Sequence, residues 1–249
     1  MKKFLQAILL VLVVTLPISA SGYIPSADFI IKMMLKGKRG VNEIRVEQIA
    51  TIFDEDFGFE DIEVSEVIYL KFPDRYRLDI NFPYEKKSII SHKGKSVIIV
   101  GGEAISDMPD EENVFLEFFV IQSVDKIFEF LHSKDINTER MGLGRFDGKI
   151  AYIIGAKEGE TNFPQLWIDR DTFLPTRFMV EKNNEDSAVT YEIRFSNYRH
   201  IDGKLWYPST IEFLYDNRLI MRYQTEKVVV NTYIPDDLFD ISKFTENSP

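Results

Sequence analysis

Residues 71–100 read KFPDRYRLDINFPYEKKSIISHKGKSVIIV, and this stretch decides the fold. Between Arg75 and Phe82, the side chains Tyr76, Leu78, Ile80 and Phe82 alternate with Arg75, Arg77, Asp79 and Asn81. Strict alternation gives one apolar and one polar face, the pattern of a half-buried β-strand. Pro73 and Pro83 bracket it. Proline cannot donate to a sheet ladder, so the strand ends there. A second strand is expected over about 85–91, a turn at Lys93-Gly94, and a third strand over 96–100. The stretch is therefore part of an antiparallel meander with one apolar face.

The chain begins with a basic pair, Lys2 and Lys3, then an apolar run from Phe4 to Leu16, then Pro17 and the small residues Ser19, Ala20, Ser21 and Gly22. This is the composition of a secretory signal peptide, expected to span 1–22 and to be cleaved. The run is short of the roughly 20 apolar residues that a membrane span needs. There is no cysteine, so no disulfide, thiol chemistry or lipidated cysteine is available. Export without cysteine suits a bacterial periplasm. Without 1–22 the chain holds 28 Lys and Arg against 40 Asp and Glu, a formal charge of −12. A chain this acidic is repelled by nucleic acid and by anionic head groups, so no nucleic-acid partner is expected. No linker or low-complexity run divides residues 23–249, which are read as one domain and as a monomer.

Ser26 is a good N-cap for a helix whose Phe29, Ile30, Met33 and Met34 share a face, with Gly37 and Gly40 ending it. Strands are expected over 42–53 and 62–72, joined by an acidic loop at 54–61. In the second strand Glu66 is the exception on an otherwise apolar face. A polar loop after Gly101-Gly102 leads to one helix over about 111–133, apolar nearly all round. Such a helix is buried on two sides, either as a plain core element or with one side towards a cavity. The rest is strands, with Asp147-Gly148, Asp202-Gly203 and, more weakly, Asp216-Asn217 as hairpin turns. The tail from Phe239 reads as short and polar. About ten to twelve antiparallel strands and one or two helices give a mainly β (α+β) protein with a large curved sheet. With 20 Phe, 11 Tyr and 2 Trp, its concave face is either an apolar pocket or a filled core.

No pattern of catalytic chemistry emerges. His92, His132 and His200 stand apart without ligand spacing, so neither metal nor cofactor is expected. There is no Gly-x-Ser-x-Gly elbow. Gly142, Gly144 and Gly148 precede a hairpin rather than join a strand to a helix, so they are not a phosphate loop. Asp169-Arg170-Asp171 reads as a turn. No catalytic residue is assigned and an enzyme is not expected.

The opening stretch also carries a resemblance. Lys71, Pro73, Tyr76 and Arg77, then Phe82-Pro83-Tyr84-Glu85, Ile89-Ile90-Ser91 and Gly94-Lys95, resemble the LolA-like superfamily of periplasmic outer-membrane lipoprotein carrier and sorting proteins. Leu166-Trp167-Ile168-Asp169 with Leu174-Pro175-Thr176-Arg177 resembles its strand–turn–strand. Residues 198–208, Val230-Asn231, Ile234-Pro235 and Phe239 resemble its closing strands. The resemblance implies an unclosed β-barrel covered by helices, whose cavity holds acyl chains. It also implies an inner-membrane transporter as donor and an outer-membrane acceptor. A chain of about 16 carbons needs roughly 12 kcal/mol of apolar shelter to cross water, which an enclosed cavity supplies. The family's segment reads Lys-Arg-Pro, and its arginine helps latch a lid. Here that position is Phe72, which has no hydrogen-bond donor to offer. Either the lid is held otherwise or the pocket stays partly open.

The reading is a periplasmic carrier that binds acyl chains of a lipoprotein or lipid and shuttles them between inner and outer membrane. The alternative is a periplasmic lipid-responsive sensor or adaptor of the same fold acting on a membrane partner. Candidate ligand contacts are Leu70, Phe72, Tyr76, Leu78, Ile80, Phe82, Phe119, Ile193, Phe195 and Phe213.

Overall fold

The computed structural model describes residues 24–53, 61–106, 114–161, 163–184 and 187–245. The expected signal peptide, most of the 54–61 loop and the start of the expected 111–133 helix lie outside them. The strands are β1 (Glu43–Ile52), β2 (Ile62–Lys71), β3 (Arg75–Asn81), β4 (Lys86–His92), β5 (Lys95–Val100), β6 (Glu103–Ser106) and β7 (Met141–Phe146). They continue as β8 (Lys149–Ile154), β9 (Gln165–Asp169), β10 (Pro175–Asn184), β11 (Ser187–Ile201), β12 (Leu205–Tyr215) and β13 (Arg218–Val230). The helices are α1 (Ala27–Lys36), α2 (Val114–Val120), α3 (Val124–Ser133) and a last turn, α4 (Ser242–Thr245).

All thirteen strands form one sheet in the order β6-β5-β4-β3-β2-β1-β13-β12-β11-β10-β9-β8-β7. Every recorded pairing is antiparallel. β6 and β7 are the two edges, so the sheet curls without closing. Between β6 and β7 in the chain come α2 and α3, and α2 packs on the middle strands of the sheet. The first and last strands meet mid-sheet, where Ile44 pairs with Val230. Asn231 clips this seam: its backbone N–H donates to Glu43 O at 2.7 Å, and its side chain accepts from Asn42 N at 2.8 Å.

Tight turns set the strand registers. Lys93-Gly94, Asp147-Gly148, Asp202-Gly203 and Asp216-Asn217 all carry positive φ at both residues. That is the conformation whose twist matches paired strands. Gly101-Gly102 does the same and turns the chain into β6, where the sequence suggested only a loop. At the β9–β10 turn the Asp169 carboxylate accepts from the backbone N–H groups of Asp171 (3.0 Å) and Thr172 (2.8 Å) and from Thr172 Oγ1 (2.8 Å). Asp169→Ala is expected to cost about 1–2 kcal/mol, because it strips three hydrogen bonds from one buried oxygen. A chemical-denaturation midpoint indistinguishable from wild type would refute that role. Gly144 lies in β7 and makes room for a ring, since a Cβ there would stand 2.7 Å from Trp167.

The two faces of the sheet are covered differently. On the outer face of β10 and β11, Glu192 is 2% exposed and bridges Arg177 (2.6 and 2.9 Å) and Arg194 (2.6 and 3.4 Å). Burial works against its charged form, but the hydrogen bonds from both guanidiniums outweigh that and hold the carboxyl below its usual range. The C-terminal segment is a strap, not a polar tail. Phe239 is buried, and Leu238, Ile241 and Phe244 pack with it on Ile90, Val97 and Ile99 of β4 and β5. Lys71 and Arg75 pin the strap through Asp236 at 2.8 and 2.7 Å.

Candidate functional site

The concave face is built from one side of each strand's alternation. Ile44, Val46 and Ala50 of β1, Val64, Ile68 and Leu70 of β2, and Tyr76, Leu78 and Ile80 of β3 all join one buried cluster. Ile193 and Phe195 of β11, Tyr207, Ile211 and Phe213 of β12, and Met221 and Tyr223 of β13 complete it. Three helices cover this face. α1 is capped by Ser26, whose hydroxyl accepts from Phe29 N at 3.3 Å, and it buries Ala27, Ile30, Ile31, Met34 and Leu35. Phe29 and Met33 are not part of that face. Phe29 is 46% exposed and packs edge-on against Phe173.

The single expected helix over 111–133 is two. α2 ends at Val120 and α3 starts after Ser123, whose extended backbone (φ −105°, ψ 137°) is that of an N-cap. Ser123 makes no side-chain capping bond; α3 starts there through its backbone carbonyl, which accepts from Ile127 N at 3.0 Å. α2 buries every residue except Glu117, with Phe115, Phe118 and Phe119 pointing into the sheet. Phe115 meets Phe213 and Tyr223 at 5.6 and 5.7 Å between ring centres. Phe119 meets Phe195 and Tyr207, each at 5.7 Å. Phe118 closes a triad with Phe130 of α3 and Phe178 of β10.

Among the described residues the concave face is closely packed, and a partly open pocket of about 20 Å³ lies between Met34, Lys38, Phe118, Phe119, Tyr198 and Leu205, among others. That is room for about one water, far less than an acyl chain. Of the sheet residues expected to contact ligand, Leu70, Tyr76, Leu78, Ile80, Ile193, Phe195 and Phe213 lie in the concave cluster, and Phe119 faces them from α2. Phe72 and Phe82, just beyond the ends of β2 and β3, are partly buried against the same cluster. Phe115, Phe178, Tyr207 and Tyr223 share this cluster without being among the expected contacts; alternation along β13 already puts Tyr223 on the face of Met221, and alternation along β12 puts Tyr207 on that of Ile211 and Phe213.

Two side chains fasten α2 to the rest of the molecule. Lys38, just after α1, donates from Nζ to the carbonyl of Phe119 at 2.9 Å, satisfying an acceptor that the end of the helix leaves open. Its ammonium lies 5.0 Å from the centre of the Phe119 ring. Burial pulls the Lys38 pKa down to about 7. Gln122 donates from Nε2 to Val41 O at 2.7 Å. These two bonds tie α2 and the residues after it to the segment that follows α1.

The arrangement is that of known structures. An outer-membrane lipoprotein-sorting protein domain from Vibrio parahaemolyticus superposes with a TM-score of 0.58 at 12% identity, covering 86% of this chain and 95% of that one. A LolA superfamily protein from Nitrosomonas europaea superposes at 0.57 and 12% identity, covering 87% and 98%. The chain has the LolA-like fold. A DUF1329 family protein from Desulfovibrio piger matches the same LolA-like fold at 0.58 and 16% identity, covering 88% and 97%. No family model and no curated protein matches the sequence. The expected unclosed barrel with a helical cover is therefore the observed LolA-like architecture. Among the described residues no helix is long and apolar enough to cross a membrane.

Proposed function

We propose that this is a single binding domain, residues 23–249, that carries the acyl chains of a lipoprotein or lipid through the periplasm between inner and outer membrane. The supporting observation is the pairing of α2 with the aromatic wall. Phe115 and Phe119 fill the concave face from α2. α2 acts as an internal plug, occupying the space that a chain would take, and it swings aside when a chain enters. Leu70, Phe72, Tyr76, Leu78, Ile80, Phe82, Ile193, Phe195 and Phe213 then contact the chain. Donor and acceptor membrane proteins complete the cycle.

The test is native mass spectrometry of the protein purified from its own periplasm, followed by extraction of what stays bound. Co-purifying acyl lipid or lipoprotein is the expected result. A clean apo mass, with no uptake of offered phospholipid or acylated peptide, would make the aromatic face a permanently filled core and favour the adaptor reading.

A further inference from the structure

The concave face is not uniformly apolar. Glu66 of β2 is 3% exposed and Gln48 of β1 is 1% exposed. Both share the parity of the apolar residues around them: Val64, Ile68 and Leu70, and Val46 and Ala50. They are cross-strand partners. Gln48 in turn pairs with Thr225 of β13, on the far side of a register shift at Glu47/Gln48. Thr225 is 8% exposed and donates from Oγ1 to Pro208 O of β12 at 3.1 Å, beside Ser209. With strands about 4.8 Å apart, these four side chains form a polar row across four strands.

The row has acceptors to spare. Gln48 Nε2 stands 2.8 Å from Glu66 Oε2. In this arrangement the amide nitrogen faces the carboxyl group and the amide oxygen faces away from it. That oxygen, Gln48 Oε1, is buried with no hydrogen-bond partner, and so is Ser209 Oγ. A buried unpaired acceptor is costly in a protein that needs only to fold. Tyr207, two residues before Ser209 on the same face, touches Phe119 of α2. Burial first, then the nearby charge of Glu66, push the Tyr207 phenol up, which places the carboxylate within electrostatic reach of the aromatic wall.

Resting on the carrier reading, we propose that Gln48, Glu66, Thr225 and Ser209 form a polar subsite on the floor of the concave face, and that it takes a hydrogen-bond-donating group of the cargo, an N–H or O–H where an acyl chain meets its polar end. An apolar groove holds any chain of suitable length. Acceptors set into it discriminate between chains by what they are attached to, because a ligand without donors leaves those acceptors unpaired. Plain esters are thus disfavoured relative to amides and amines.

Three probes of equal chain length test this by competition against a fluorescent fatty ligand: methyl palmitate, which has no donor, palmitamide, a neutral donor, and hexadecylammonium, a cationic one. Wild-type protein is expected to bind at least one donor probe about tenfold more tightly than the ester, the worth of one or two buried hydrogen bonds. Preference for the amide assigns the subsite to an amide N–H, and preference for the ammonium assigns it to an amine paired with Glu66. The combined Gln48→Leu and Glu66→Leu variant is expected to bring that ratio close to one. Equal binding of all three probes by wild type, or a ratio kept by the double variant, would overturn the subsite while leaving the carrier reading intact. Binding of none would overturn both. The wild-type ratio needs no variant, so a double variant that fails to fold leaves the test standing.

Discussion

Phe119→Ala is expected to lower the unfolding free energy by about 3–5 kcal/mol and yet to tighten the binding of acyl chains by about tenfold or more. Phe119 is buried, and its ring abuts Phe195, Tyr207, Phe115 and Phe118. In a permanent core, truncation only destabilises. In a displaceable plug, the lost contacts belong to the closed form alone, so an entering chain has less to displace. Phe213 is the control. It belongs to the wall beneath, fully buried against Phe115 and Tyr223. Phe213→Ala should cost similar stability and weaken binding, since the wall holds the chain in the open form. Denaturation midpoints and displacement titrations on the two variants decide the matter. If both move affinity the same way, α2 is not a plug.

The second large effect is on pH. The half-buried Lys38 has its pKa pulled down to about 7, against about 10.4 in an unfolded chain. Between those values the unfolded chain binds more protons, so stability rises with pH across about 7 to 10. The slope approaches, at most, about 1.4 kcal/mol per pH unit, the worth of one proton. Below pH 7 both forms are protonated and this contribution is flat. Opening of α2 exposes the same amine, so acidification from pH 10 towards 7 also favours the open form. Lys38→Met should remove this slope and retain the apolar stem that packs on Phe118 and Phe119. Unfolding curves taken at several pH values measure it. An unchanged slope in Lys38→Met would mean that another group carries the titration.

The sheet was legible because its signals are local. Alternation from Arg75 to Phe82 and the turn at Lys93-Gly94 each fix a few residues at a time, and the hairpins stack into a meander. What escaped depends on distant partners. Local alternation puts Gln48 on the face of Ile44, Val46 and Ala50, but only register across β1, β2 and β13 shows that Glu66 and Thr225 stand beside it. Phe239 reads as the start of a polar tail until β4 and β5 offer Ile90, Val97 and Ile99 to cover. The break at residues 121–123 hides in an unbroken apolar periodicity, since Ser123 is as acceptable inside a helix as it is good at the start of one. Phe29 is apolar and helical, but Ala27, Ile30, Ile31, Met34 and Leu35 already fill the face that α1 buries. The buried face was legible because alternation assigns each strand two faces, and one was consistently apolar.

The seam between β1 and β13 sets the order in which the molecule assembles. Its contacts join residues 189 positions apart, as in the bond from Asn42 to Asn231, whereas every other strand pair among the described residues is a neighbour in the chain. Loops that long close slowly, and contacts that depend on them form late. β1 to β6 and β7 to β13 each make a local meander as soon as their own residues are available. The two half-sheets are then zipped together only when the last strand finds the first. Until that moment β1 and β13 are raw edges on an incomplete protein, which makes the seam the place where folding intermediates are most exposed to aggregation.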